Sequence, residues 1–231
     1  MATFPGFPAE TFTFLSELKQ NNNRNWFNEN KTRYQQDVVA PIVSFIDAIR
    51  EPLHEISPRF VADSRPHRGS MFRIYRDARF SKDKRPYKEN VGCQFRHEAG
   101  KDAHAPGFYL HIEPGNVFFG GGIWQPPNPV LAKIRFMMHA FPKSWQKVLD
   151  DEGLQHAFEG IQGDSLQRPP RGYDADHPFI DDLKRKSFFV MQSIDDRSSM
   201  QKTFINKVVN CYQAASPLME FLTRSVELPY R

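Results

Sequence analysis

Seven basic side chains crowd into residues 73–88, whose sequence is RIYRDARFSKDKRPYK. Guanidinium groups can hold a phosphate or carboxylate through two parallel hydrogen bonds, and ammonium groups add point charges. Seven bases against two acids give this segment a net charge of +5, which exceeds the +4 of the whole chain. Of these seven bases, six are expected to form an anion-binding site: Arg73, Arg76, Arg79, Lys82, Lys84 and Lys88.

The two acids of this segment, Asp77 and Asp83, are the catalytic candidates if a reaction follows binding. A carboxylate among so many cations stays ionised, which suits a base or a metal ligand better than a general acid. Tyr75, Phe80 and Tyr87 are interleaved with the charges, and Tyr87 would contact the organic part of a ligand together with Trp124. The alternative is a solvated strand and loop in which the two acids pair with neighbouring bases.

Three consecutive glycines, Gly120, Gly121 and Gly122, form the second candidate site. Glycine lets another group approach the backbone closely, so a ligand could lie here with Trp124 as a wall. The alternative is a bulge, or close packing against a neighbouring element. The triplet is neither a dinucleotide fingerprint nor a phosphate-binding loop. Because neighbouring strands lie about 4.8 Å apart, we expect the glycines and the basic segment to form one site.

A third set lies in the loop RPPRGYDADHP, where Arg168 and Arg171 could extend the basic surface. Asp174, Asp176 and His177 are residue types that bind divalent metals. A turn in which Asp176 caps the following helix is the preferred interpretation, and no metal site is predicted.

A fourth set lies at the junction of the first two predicted helices and is interpreted as structural, with amides that cap and aromatics that pack. Its members are Asn22, Asn23, Trp26, Phe27, Asn30, Lys31 and Tyr34. The chain has no HExxH, GxSxG, CxxC or Walker A sequence. His111 falls in a predicted strand, where a packing role is the expected one.

The elements that must position these residues are helices at both ends and strands in the middle. Apolar residues recur with helical spacing before residue 52, where Pro41 is expected to kink or divide the helix, and again after residue 130. Ser198 or Ser199 is expected to cap the last helix. The predicted fold class is α+β, with a central antiparallel sheet flanked by N- and C-terminal helices. The strand candidates are residues 70–75, 90–95, 107–113, 117–123 and 187–192.

Composition bounds the class of protein. A chain of 231 residues with 39% hydrophobic residues is predicted to form one α+β domain over residues 1–231. Cys93 and Cys211 match no metal or redox spacing, and the start MATFPGFP lacks the pattern of a signal peptide. No apolar run reaches the roughly 20 residues that span a bilayer. We expect a cytoplasmic protein with free thiols and no membrane partner.

Six stretches resemble a widespread, mostly bacterial family of conserved hypothetical proteins, catalogued as a domain of unknown function. They are FLSELKQNNNRNWFNENKTRY (residues 14–34), FRIYRDARFSKDKRPYKENVG (72–92), GFYLHIEPG (107–115), GGGIWQPP (120–127), RPPRGYDADHP (168–178) and PLMEFL (217–222). The resemblance spans nearly the full chain. It implies one soluble domain and brings with it no activity, cofactor or catalytic residue.

The favoured function is binding, with or without turnover, of a phosphorylated or carboxylated small molecule at the basic site. Arg73, Arg76, Arg79 and Lys82 would hold the anion. A nucleic-acid-binding module is one alternative, since basic and aromatic residues on a sheet face can hold a backbone and stack bases. A non-catalytic domain whose basic loop meets an acidic partner is another. The residues indicate neither a cofactor nor an oligomeric state.

Overall fold

The computed structural model describes residues 4–65, 68–79, 81–100 and 105–231, so Phe80 of the basic segment lies outside the described residues. Five strands form one sheet in the order β1-β2-β3-β4-β5, and every neighbouring pair is antiparallel. The strands are β1 (Phe60–Val61), β2 (Val91–His97), β3 (Gly107–Ile112), β4 (Val117–Ile123) and β5 (Phe188–Ile194). The predicted α+β class and antiparallel sheet are confirmed.

Alternation along the strands gives the sheet two different faces. On the core face, Phe95, Phe108, Phe119 and Val190 are fully or almost fully buried. The opposite face, called here the open face, carries Tyr109 paired with Gly120, which in turn pairs with Met191. The hydrophobic cluster therefore lies on one side of the sheet, and any cavity on the other side is built from the alternate residues of the same strands.

Within the described residues, five helical elements precede the sheet, and the last of them packs on its core face, where the rings of Phe45 and Phe95 have centroids 6.5 Å apart. The five elements are α1 (Ala9–Gln20), α2 (Arg24–Glu29), α3 (Lys31–Arg33), a π-helical segment (Tyr34–Val39) and α4 (Ala40–Ile56). Pro41 has no N–H to donate to the carbonyl of Asp37, four residues earlier. The buried hydroxyl of Thr11 donates to that carbonyl instead, at 2.5 Å. The π-helical segment ends at Val39 and α4 begins at Ala40, so the helix changes its hydrogen-bond pattern beside Pro41 without being divided there, and it runs past Pro52 to Ile56.

The later helices complete the core. They are α5 (Asn128–Ala140), α6 (Pro142–Leu149), α7 (Glu152–Ala157), α8 (Ile180–Leu183), α9 (Asp196–Ser199) and α10 (Phe204–Ser225). Helix α10 lies across the middle of the sheet, where the Tyr212 hydroxyl donates to the carbonyl of Tyr109 at 3.0 Å. The Tyr212 ring also packs on Phe108, with ring centroids 4.7 Å apart. None of the described helices combines the length and apolar character needed to cross a membrane.

Residues 70–75, predicted to be a strand, do not form one. Only single bridges occur, Met71 with Cys93 and Tyr75 with Tyr87. The chain folds back on itself here, because Arg76 N–H donates to Pro86 at 2.9 Å and Lys88 N–H donates to Ile74 at 2.8 Å. Pro86 has no N–H to extend this pairing. The basic segment is therefore an irregular hairpin beside β2, and not a strand of the sheet.

Both predicted helix caps were wrong. Asp195 caps α9 by accepting from Ser198 N–H at 2.7 Å, so Ser198 and Ser199 lie inside a short separate helix before α10. Asp176 does not cap α8. Instead, His177 Nδ1 lies 3.1 Å from Phe179 N–H and accepts from it. An imidazole nitrogen two residues before the amide replaces the expected carboxylate.

Thermal unfolding tests the expectation of one domain. The core residues of the helices and the sheet form one contiguous cluster, so we expect a single cooperative transition. Differential scanning calorimetry should give equal calorimetric and van't Hoff enthalpies. Two separated transitions would show that the N-terminal helices and the sheet unfold independently.

Candidate functional site

The basic hairpin is attached to the helices at the chain's start. The side-chain amide of Asn22 donates to the carbonyl of Tyr87 at 3.0 Å, and its oxygen accepts from Tyr87 N–H at 3.1 Å. The Tyr87 ring stacks on Phe27, with ring centroids 4.1 Å apart. Asn23 caps α2 by accepting from Trp26 N–H at 3.0 Å. The fourth set of candidates thus has the structural role predicted for it, and Tyr87 is buried.

The carboxylates of the hairpin are paired with its guanidiniums. Asp83 contacts Arg76 at 2.6 Å and Arg85 at 2.7 Å, and Asp77 contacts Arg79 at 2.6 Å. Hydrogen bonding to Arg79 lowers the pKa of Asp77 to about 2, and hydrogen bonds from Arg85 and Arg76 hold the pKa of Asp83 well below its usual range. Both acids are therefore ionised, as expected, and already occupied by cations, which leaves little for either to do as a base.

A concavity of about 620 Å³ lies beside this hairpin. Its lining includes the predicted residues Arg76, Arg79, Lys84 and Tyr87, together with Arg24, Asn28, Tyr75, Asp77, Ala78 and Pro86. Lys84 Nζ donates to the carbonyl of Ala78 at 3.0 Å. Three of the basic side chains predicted to bind an anion, Arg76, Arg79 and Lys84, therefore already contact groups within the hairpin.

A second cavity, of about 550 Å³, lies on the open face and is called here the open-face cavity. Gly107, Gly120, Gly121 and Gly122 form its floor. The other lining residues are mostly apolar or aromatic: Phe72, Gln94, Ala105, Tyr109, His111, Phe118, Ile123, Trp124, Phe189, Val190 and Met191. The predicted Gly120–Gly122 run and Trp124 thus share a cavity. Among the described residues, none lines both this cavity and the concavity beside the hairpin, so the expected common site is divided in two.

Close packing explains each of the three glycines. A Cβ on Gly120 would lie 1.9 Å from the carbonyl oxygen of Val190, and one on Gly122 would lie 2.2 Å from that of Phe188. A Cβ on Gly121 would meet the Met219 sulfur of α10 at 3.0 Å. The alternative interpretation, close approach by a neighbouring element, therefore holds for the glycines themselves. The cavity exists because these three positions carry no side chains to fill the space.

Two cations lie over the ring of Phe72, which lines the open-face cavity, although neither cation is itself a lining residue. Lys88 Nζ lies 5.1 Å and the Arg96 guanidinium carbon 5.6 Å from the centre of the Phe72 ring. Arg96 Nε donates at 3.0 Å to the side chain of Gln94, which lines the cavity. Within the described part of the chain, neither cation forms an ion pair with a carboxylate. Burial and the charge of nearby Arg73 lower the pKa of the half-buried Lys88.

Sequence reasoning missed several residues that the structure gathers in or beside this cavity. Phe72, Gln94 and Arg96 lack a recognisable motif, and their convergence depends on the register of β2 against its neighbours. Tyr109 and His111 could have been found, since Tyr109, His111 and Glu113 alternate along one strand and must share a face. His111 was expected to be a packing residue. It is buried, but both its ring nitrogens contact polar side chains, Tyr109 and Glu113.

The other predicted residues lie elsewhere. Arg73 and Lys82 are exposed and line neither cavity. Asp174, Asp176, Arg168 and Arg171 are exposed in the loop before α8. Over the described ranges, no group of three or more His, Cys, Asp or Glu side chains is placed to hold a metal ion. Both cysteines are buried and unpaired.

Replacing Gly121 by valine tests the packing beneath the cavity floor. The new side chain would press on Met219 and Phe108, and overpacking of this kind costs about 1–3 kcal/mol. We expect urea denaturation to show that loss for Gly121→Val, and the double variant Gly121→Val/Met219→Ala to recover part of the free energy relative to the sum of the single changes. Strictly additive effects would mean that the valine does not meet Met219.

A comparison with protein-family models found one match, described as a conserved hypothetical protein (DUF2461), over residues 10–221. Searches of curated proteins and of solved structures found no match. The matched span includes every strand, the basic hairpin and the open-face cavity, so the resemblance noted from short stretches extends over nearly all of the fold. The chain belongs to the DUF2461 family of conserved hypothetical proteins.

Proposed function

We propose that this chain binds a carboxylated small molecule whose planar, apolar body occupies the open-face cavity and whose carboxylate lies at Lys88 and Arg96. One observation carries the proposal: two cations without a carboxylate partner among the described residues flank an aromatic wall of this cavity. The favoured function predicted from the sequence, binding of an anionic small molecule, is kept. Its location moves from the basic hairpin to the open face of the sheet.

The cavity suits a planar apolar body. Ligand cavities are typically about 300–1,000 Å³, lined by apolar and aromatic groups with a few polar ones. Here four glycines are part of the lining, and Trp124 and Phe189 form an aromatic wall with ring centroids 5.2 Å apart. Trp124 is 57% exposed, which is unusual for so large an apolar side chain, and it is part of the cavity lining.

The cations suit a carboxylate. Arg96 has its Nε bound to Gln94, so the guanidinium is oriented before a ligand arrives. A preorganised donor loses less entropy on binding. Lys88 is half-buried beside Arg73, an arrangement that disfavours its charged form. An anion at this position would offset that cost, because an opposite charge favours the ammonium.

The hairpin concavity is the weaker candidate, because guanidiniums beside it are already paired with carboxylates. Arg76, Arg79 and Arg85 already have carboxylate partners in the hairpin, which an incoming anion would have to displace or share. The same pairing lowers the charge that a nucleic-acid backbone or an acidic protein would meet. Both alternatives predict a steep fall of affinity with salt, whereas one carboxylate in a cavity predicts a shallow fall.

Calorimetric titration with 2-naphthoate and its neutral isostere 2-naphthamide tests the proposal. The two ligands have the same rings, so the difference in affinity reports on the charge alone. A charge-assisted hydrogen bond contributes about 1.5–3 kcal/mol. We therefore expect 2-naphthoate to bind at least about tenfold more tightly than 2-naphthamide. Lys88→Met/Arg96→Met should remove this preference and leave weak binding of the rings.

The matched control is Arg76→Ala/Arg79→Ala, which removes two cations that line the hairpin concavity and leaves Lys88 and Arg96 in place over Phe72. We expect it to bind 2-naphthoate like the unchanged protein. Loss of binding in this control, with retention in Lys88→Met/Arg96→Met, would place the anion in the hairpin concavity. Equal affinity for the acid and the amide in the unchanged protein would contradict the role given to the cations.

A further inference from the structure

Three alternate residues of one strand and its end form a hydrogen-bonded chain in the open-face cavity. The Tyr109 hydroxyl lies 3.2 Å from His111 Nδ1, and His111 Nε2 lies 3.3 Å from Glu113 Oε2. Tyr109 and His111 both line the cavity. The other carboxylate oxygen of Glu113 contacts Lys19 of α1 at 3.6 Å. This series of hydrogen bonds thus leads from the cavity to the protein surface.

The direction of these hydrogen bonds follows from the groups involved. An ionised carboxylate can only accept, so Nε2 of His111 carries the proton that Glu113 accepts. In the neutral ring Nδ1 is then the acceptor, and the Tyr109 hydroxyl donates to it. Burial lowers the pKa of His111, opposed by Glu113, and burial raises the pKa of Tyr109 to about 12. A neutral phenol and a neutral imidazole are thus the resting forms.

Surrounding residues hold this arrangement in place. A Cβ on Gly92 would lie 2.5 Å from the Tyr109 hydroxyl oxygen, so only glycine leaves room for the phenol to reach across β2. Phe118 stacks on the His111 ring, with centroids 4.5 Å apart and an interplanar angle of 10°. The Tyr109 hydroxyl is thus constrained by β2, and the plane of the His111 ring is constrained by Phe118 of β4. A hydroxyl, a base and a carboxylate that orients the base are the parts of an activated hydroxyl group.

We propose that Tyr109, His111 and Glu113 form a proton relay that abstracts a proton from the ligand in the open-face cavity and returns it at another atom. The Tyr109 oxygen takes the ligand's proton as its own proton passes to His111 Nδ1. The ligand is left as an anion, the phenol is unchanged and the imidazole becomes an imidazolium paired with Glu113. The reverse transfer completes an isomerisation, with no electrons gained or lost by the protein.

Tyr109 and His111 are the catalytic residues of this step, and Glu113 is a positioning residue that fixes the tautomer. The inference rests on the proposed function, because it requires a ligand in the cavity. Its test does not require the carboxylate site. A neutral aryl reagent can report on whether His111 accepts the phenol proton.

Benzenesulfonyl fluoride is the probe. The Tyr109 oxygen attacks its sulfur, an S–O bond forms, fluoride leaves with the S–F electron pair, and the phenol proton goes to His111 and then to solvent. Peptide mass spectrometry measures the labelling rate of each tyrosine. We expect Tyr109 to react faster than Tyr75, which is 52% exposed and serves as the internal reference. In His111→Leu the rate at Tyr109 should fall at least tenfold, with the rate at Tyr75 unchanged.

Glu113→Gln provides a second variant in case His111→Leu folds poorly. Imidazole ¹⁵N shifts should show Nδ1 as the unprotonated nitrogen of His111 in the unchanged protein, and a mixture of tautomers in Glu113→Gln. Slower labelling of Tyr109 than Tyr75 in the unchanged protein, or the same Tyr109 rate in His111→Leu, would overturn the relay. Normal 2-naphthoate binding beside such a result would leave the proposed function intact. Fast, His111-dependent labelling without any 2-naphthoate binding would reject the carboxylate site instead.

Discussion

The close approach of β4 to β5 is the constraint on which the open face depends. At Gly120 and Gly122 the β5 backbone occupies the space that a Cβ would need, and at Gly121 helix α10 does the same from the core side. Three successive positions therefore carry no side chain on either face. The sheet keeps its hydrogen bonds through this region, and the missing side chains leave a recess between Tyr109 and the Trp124–Phe189 pair. The close approach of β5 and α10 therefore both requires glycine at these positions and leaves the recess above them.

Charge is distributed unequally between the two concave regions. In the hairpin, acids and guanidiniums lie two or seven residues apart and satisfy one another locally. On the open face, Lys88 and Arg96 are brought to the same aromatic ring by different segments, and no described acid accompanies them. A high local density of bases in a sequence therefore does not identify where uncompensated charge lies. Compensation is decided by which acids share the same turn.

The sequence predicted the main elements because their signals are local. The turn Pro114-Gly115-Asn116 between two strand candidates predicts a hairpin, and β4 covers residues 117–123 as predicted. Residues 70–75 alternate clearly but form no strand, because they change partner along their length: Met71 bridges Cys93 of β2, whereas Tyr75 bridges Tyr87 of the hairpin. The glycines and Trp124 were found from composition alone. Arg96, Gln94 and Phe72 were not, since only the register of β2 and the path of residues 70–72 along its edge bring them together.

The attachment of Tyr87 to Asn22 determines at what stage of folding the two cations come together at Phe72. Lys88 follows Tyr87 directly, so the ammonium is held at Phe72 by a contact between residues that are 65 positions apart in the chain. Arg96 reaches the same ring from within the sheet. The two cations therefore meet only after a long-range loop has closed between the N-terminal helices and the hairpin. Closing so long a loop costs chain entropy, so contacts of this kind form later in folding than local hairpins do. The convergence of charge at Phe72 is thus a property of the complete tertiary structure, and a sheet that has formed without the first helices would lack it.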